Sequence, residues 1–197
     1  MHALSQAANI GVPRAADASM QVVDEYTWRS APAGTNDRQG LLQDHWDTWV
    51  QRGHLEDLQA AGITHLRVPV GYWYWDVAEG EPFASDAALF PGALAKLIIL
   101  VNEWCAELGL KVLVDLHTGP GSQNGFDNSG KRGPIGLLEG GNVDRWAGIV
   151  GTVAEWCKAN LDAGTLFGLE ILNEPAGFND DMWAAVSGMV SSWPVVS

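Results

Sequence analysis

Two adjacent residues late in the chain, Asn173 and Glu174, have the types and the setting for acid–base chemistry on a hydroxylated substrate. They close the run Leu169-Glu170-Ile171-Leu172-Asn173-Glu174-Pro175, where an apolar strand is expected to stop on Asn-Glu-Pro. A carboxylic acid at the C-terminal lip of a parallel strand stands where α/β barrels keep their catalytic groups. Glu174 could there act as general acid/base on a glycosidic bond, Asn173 could bind a substrate hydroxyl, and Pro175 would fix the turn leaving the strand. Such chemistry ordinarily uses a second carboxylate, ~5 Å away in the route through a covalent intermediate.

Three helix-then-strand units supply the elements that must position these groups. In the first, Leu55, Leu58 and Ala61 mark a helical face that stops at Gly62, and the strand 63–70 follows. In the second, Pro91 opens a helix whose inward face is Leu94, Leu97, Ile98, Val101, Cys105 and Leu108; Gly109 ends it, and the strand is 111–117. In the third, Asn142 is expected to cap a helix with Trp146, Ile149, Val150, Val153 and Cys157 inward, leading into a strand over 166–174. Strands separated by helices imply crossover connections and a parallel sheet. The long segments 71–90 and 118–141 follow the strands' C-terminal ends, the side on which such folds carry function.

Side chains alternate along a strand, so His65 and Arg67 share a face, as do Asp115 and His117, and Glu170 and Glu174. The opposite face is apolar and should meet the helices. On the polar face Arg67 needs an acid, Asp115 or Glu170, because an unpaired buried charge is prohibitively costly. That makes Asp115 and Glu170 structural partners first. His117 could equally be an inward histidine satisfied by its neighbours, and Trp73-Tyr74-Trp75 reads either as packing beneath a loop or as sugar stacking.

A chain of 197 residues with net charge −13 is long enough for one substantial domain and too acidic for nucleic acid or an anionic membrane as partner. A neutral polymer remains compatible. No stretch reads as apolar enough to span a bilayer. The first twenty residues show no signal-peptide pattern. His45, His54 and His65 lack metal-ligand spacing and no Cys-x-x-Cys occurs, so no metal and no organic cofactor is expected. Cys105 and Cys157 are expected as buried free thiols, with a disulfide as the alternative. The glycine-rich run 119–125 lacks the Gly-Lys-Ser/Thr ending of a phosphate loop, and Ser122 has no visible His–Asp partners.

The residues resemble glycoside hydrolase family 5, in particular its exo-β-1,3-glucanase branch of fungi and oomycetes. The resemblance rests on Val23-Asp24-Glu25-Tyr26, His45-Trp46-Asp47-Thr48-Trp49, Arg67-Val68-Pro69-Val70-Gly71-Tyr72-Trp73, the stretch 115–130 with its Gly-Ser-Gln-Asn-Gly-Phe-Asp-Asn-Ser-Gly, and Leu172-Asn173-Glu174-Pro175. It implies a retaining glycosidase on a (β/α)8 barrel that acts on β-glucan, with an extracellular setting. Carried onto these positions, it implies Glu174 as acid/base, Asn173 as the group holding the sugar 2-hydroxyl, Arg67 as support for the nucleophile and His117 as an active-site histidine. Phe126 would be an aromatic platform, Asp127 and Asn128 would line the pocket, and Tyr72 and Trp73 would contact substrate. Thr118-Gly119 departs from the Gly-Ala expected at that loop entry.

The resemblance covers 22–186 as a partial barrel domain of three βα units from the N-terminal half, with a poorly patterned segment over 1–21 and an atypical tail over 187–197. A complete barrel needs eight strands and about 250 residues. The expectation is therefore an open partial barrel of a truncated product, lacking the nucleophilic glutamate of a later strand. The alternative is a non-catalytic glucan-binding or regulatory remnant of such an enzyme.

Overall fold

The computed structural model describes residues 24–30 and 38–192; the expected segment 1–21 lies outside them. In chain order the elements are α1 (Glu25–Ser30), α2 (Arg38–Thr48), α3 (Arg52–Ala60), β1 (His65–Val70), α4 (Phe90–Ile99), α5 (Ala106–Leu108), β2 (Lys111–Leu116), α6 (Asn142–Asn160), β3 (Leu166–Glu170) and α7 (Asp180–Ser192). A π-helical stretch, Leu100–Cys105, joins α4 to α5, and Gly109 ends that rod in the left-handed region at φ 67°. Lacking a Cβ, glycine adopts this geometry without steric cost.

The three strands lie in the order β1-β2-β3, all parallel, with helices between them, the arrangement of part of an α/β barrel. Val68 pairs with Val114, and Pro69 with Asp115. Strand alternation sends Leu66, Val70, Val112, Val114 and Leu116 into the core. There they meet Val101 and Cys105 from the π-helical stretch and Trp146, Val150 and Val153 from α6. Each such side chain contributes roughly 1.5–3 kcal/mol by leaving water. All five residues expected on the inward face of α6 are buried.

Four details depart from the sequence expectations. The third strand stops at Glu170, so Glu174 stands beyond it on an irregular exit. A register irregularity pairs Val112 with Leu166 but Leu113 with Gly168. Phe167 is thereby skipped, 65 % exposed, its ring edge-on to His65. The irregularity brings Glu170 opposite Asp115, on the polar face. Asn142 is the first helical residue of α6 rather than its cap; Gly141 precedes it at φ 81°, and the Asn142 side chain donates to the Gly136 carbonyl. Finally, the boundary expected at 186 falls inside α7, whose Met189 belongs to the core.

The helical run Ala87–Leu108 has the length and apolar composition of a membrane-crossing helix, which corrects the expectation that no stretch does. It joins β1 to β2, and its Leu97, Val101 and Cys105 are buried in the common core, as in the crossover helix of a globular fold. Cys105 and Cys157 are free thiols, each raised by burial to about 11.

The loop after β1 is packed rather than open. Trp73 stacks on Phe83 with ring centroids 4.2 Å apart, and Tyr72 meets both edge-on. Arg145 of α6 bonds Asp76 and both carboxylate oxygens of Glu81, while the Tyr72 hydroxyl donates to Glu81. A Cβ at Gly71 would fall 2.2 Å from the ring of the buried Trp73, so the indole must shift. Gly71→Ala is expected to lower stability by about 1–3 kcal/mol in urea unfolding, with loss of the near-ultraviolet tryptophan signal.

Candidate active site

Three side chains, Glu170, Asn173 and Asp115, converge on Arg67 at the polar face of the sheet. Its Nε and Nη2 donate to the two Glu170 oxygens at 2.6 and 2.8 Å, a fork-to-fork pair. Nη2 also reaches Asn173 Oδ1 at 2.7 Å and Asp115 Oδ2 at 3.0 Å. The bond to Glu170 holds the guanidinium above its ordinary pKa. Asp115 is completely buried. Burial raises its carboxyl, against the lowering effect of a 2.6 Å contact with His117 Nδ1 and of the Arg67 charge. The partners that strand alternation assigned to Arg67 are therefore both present.

Asn173 is oriented by the same guanidinium. Arginine only donates, so the amide must turn its oxygen to Arg67, which leaves Nδ2 as a buried donor with no partner among the described residues. Glu174 follows, exposed at the lip of the strand exit. Its backbone sits at φ 42°, in the left-handed region that non-glycine residues rarely occupy. Such strain is held by surrounding bonds and gathers at functional sites. Here the Glu174 carbonyl accepts from Asn124 Nδ2 at 3.0 Å and its Oε2 accepts from Asn128 Nδ2 at 2.9 Å. The Glu174 charge also contributes to raising Arg67, which places the two in one electrostatic site.

The loop after β2 thus carries the exit of β3. At its centre is Gln123, fully buried, a residue to which the sequence alone assigned no task. Its Nε2 donates to the carbonyls of His117 and Asn173, and its Oε1 accepts from the Gly119 amide. One amide therefore ties the ends of two adjacent strands. The only sequence signal was its place in the Gly-Ser-Gln-Asn-Gly run. Gln123→Leu strands two buried carbonyls and is expected to lower stability by about 2–4 kcal/mol, read from the midpoint of chemical unfolding at unchanged slope.

The structure brings Arg67, His117, Asn173, Glu174 and Asn128 together. Phe126 is 55 % exposed on the same loop, its amide held by Asn124 Oδ1. Asp127 is exposed and bonds the Asn128 amide rather than Glu174. Tyr72 and Trp73, expected to touch substrate, are each 4 % exposed inside the aromatic cluster. The Phe83 ring covers a face of Trp73, and Gly130 approaches the same indole closely, so both residues pack in the core, where they also line a small pocket with Glu81 and Ser129.

Residues 33–193 match the family model described as Cellulase (glycosyl hydrolase family 5). A glucan 1,3-beta-glucosidase of Pichia angusta is 40 % identical over 156 residues, 79 % of this chain and 34 % of that protein. A probable glucan 1,3-beta-glucosidase A of Emericella nidulans is 39 % identical over 168 residues, 84 % of this chain and 39 % of that protein. The chain thus spans little more than a third of the length of these relatives. Among solved structures, the rutinosidase from Aspergillus niger superposes with a TM-score of 0.64 at 16 % identity, over 86 % of this chain and 49 % of that one, a likeness of fold alone.

Proposed function

The chain belongs to glycosyl hydrolase family 5, and on that premise we propose that its polar-face site serves the cleavage of β-1,3-glucan with retention of configuration, Glu174 being the acid/base. The observation that carries this reading is the placement of Glu174. It is a strained carboxylate at the exit of β3, tethered by Asn128 and set beside the Arg67 cluster. Departure of a sugar needs a proton on the bridging oxygen, and an exposed carboxylic acid at a strand lip can deliver it. The free amide N–H of Asn173 is suited to a ring hydroxyl, and the Phe126 ring to the apolar face of a pyranose. Asp115 and Glu170 are both committed to Arg67. In this reading the attacking carboxylate comes from a strand other than the three described. An extracellular setting, where wall glucan is met, goes with the same reading.

That commitment of Asp115 and Glu170 also favours a second reading, glucan binding without turnover. Incubation with β-1,3-linked gluco-oligosaccharides separates the two. Glucose released first as the β-anomer supports the retaining glycosidase; saturable binding without release supports the binding module; neither binding nor release removes both.

A further inference from the structure

Asp115 has a bond pattern that a mere counter-ion to Arg67 does not require. It lies on the strand face shared with His117, two residues away, and is fully buried. One oxygen, Oδ2, meets both Arg67 Nη2 at 3.0 Å and His117 Nδ1 at 2.6 Å, while Oδ1 has no partner among the described residues. Arg67 meets this oxygen as a cation that cannot accept, its Nη2 hydrogens donating to Glu170 and Asn173, and an ionised carboxylate brings only lone pairs. With Asp115 ionised, the contact at 2.6 Å is a hydrogen bond only if His117 carries its proton on Nδ1. In the neutral ring the lone pair then sits on Nε2, on the side of the imidazole away from Asp115, where no described residue bonds it.

We propose that Asp115 is a positioning residue: it fixes the Nδ1–H tautomer of His117 so that Nε2 accepts a hydrogen bond from a sugar hydroxyl. The assignment rests on the glucan reading for its ligand but not for the tautomer. A buried carboxylate that takes the ring proton on one side also sets the ring plane, the arrangement by which outer carboxylates orient histidines in metal and triad sites. Arg67 completes the node, since its own bonds to Glu170 and Asn173 hold it against Asp115. One buried oxygen thereby couples the orientation of His117 on β2 to that of Asn173 beyond β3. The two hydroxyl-binding groups would be complementary, Nε2 accepting and Asn173 Nδ2 donating.

The test is nitrogen-15 NMR of the His117 ring, at a pH where the imidazole is neutral, in the intact chain and two variants. The wild-type spectrum is expected to show a protonated Nδ1 and an unprotonated Nε2. Asp115→Asn can turn its amide oxygen to the Oδ2 position and its NH2 to the unpartnered Oδ1 position, so it should keep that tautomer. Asp115→Leu removes the acceptor and should release the ring to the Nε2–H form. The same samples, titrated with a β-1,3-linked gluco-oligosaccharide, should show affinity kept within about threefold in Asp115→Asn and weakened about tenfold in Asp115→Leu, one hydrogen bond's worth. An Nε2–H tautomer in the wild type overturns the assignment even if Asp115→Leu fails to fold. Equal affinity in wild type and a folded Asp115→Leu overturns it as well. Absence of oligosaccharide binding by the wild type removes the glucan reading instead, and the wild-type tautomer still decides the role of Asp115.

Discussion

Arg67→Leu is expected to lower stability by about 2–3 kcal/mol, and by less at pH 4 than at pH 7. Removing the guanidinium leaves the buried Asp115 with His117 alone and Glu170 without its fork-to-fork partner. Breaking a fully buried pair costs about 3–5 kcal/mol; the figure is reduced here because the Arg67 side chain is 39 % and that of Glu170 30 % exposed. The pH dependence follows from Asp115, whose folded-state pKa already lies above its ordinary value because of burial. A carboxyl raised on folding favours the folded state at low pH, and that contribution disappears as pH rises through its folded-state value. Loss of the Arg67 charge raises it further, so acidification offsets part of the damage. Arg67→Lys keeps a charge but not the fork, and should fall between the two. Urea unfolding of the three proteins at the two pH values checks both magnitude and sign.

Glu174→Gln is expected to reduce release of glucose from β-1,3-linked oligosaccharides by about 10²–10⁴-fold, the contribution of a positioned acid/base. Stability should change by less than about 0.5 kcal/mol, because the side chain is exposed and a glutamine oxygen can still accept from Asn128. Oligosaccharide affinity should persist, since the Arg67 cluster and the Asn173 amide are untouched. Initial rates at saturating substrate, paired with the unfolding midpoint, separate loss of the proton from loss of the fold.

Much of this arrangement was legible from residue types and spacing because it rests on two periodicities. The i, i+3, i+4 spacing of apolar residues placed the core face of α6, and strand alternation placed Arg67, Asp115 and Glu170 on one face. The end of β3 was not legible, because Ile171 and Leu172 continue an apolar run that reads as strand. What breaks it is tertiary. Trp146 Nε1 takes the Ile171 carbonyl and Gln123 takes that of Asn173, so the backbone bonds of this segment go to side chains instead of a ladder. The skipped Phe167 has no local signal for a bulge, yet it decides that Glu170 lands opposite Asp115. The packing of Tyr72 and Trp73 was not legible for a related reason. An aromatic run after a strand has the same composition whether it stacks on a sugar or on Phe83; only the close approach of Gly71 and Gly130 to the indole marks the second case.

The central claim of the proposed function is that Glu174 and the groups tethering it bind glucan. Titration of nitrogen-15-labelled protein with a β-1,3-linked gluco-oligosaccharide tests it most directly. Saturable shifts are expected at the Glu174 backbone amide, at the side-chain amides of Asn128 and Asn173, and at the Phe126 backbone amide. Saturable shifts confined to other surfaces, or none at millimolar sugar, would contradict it.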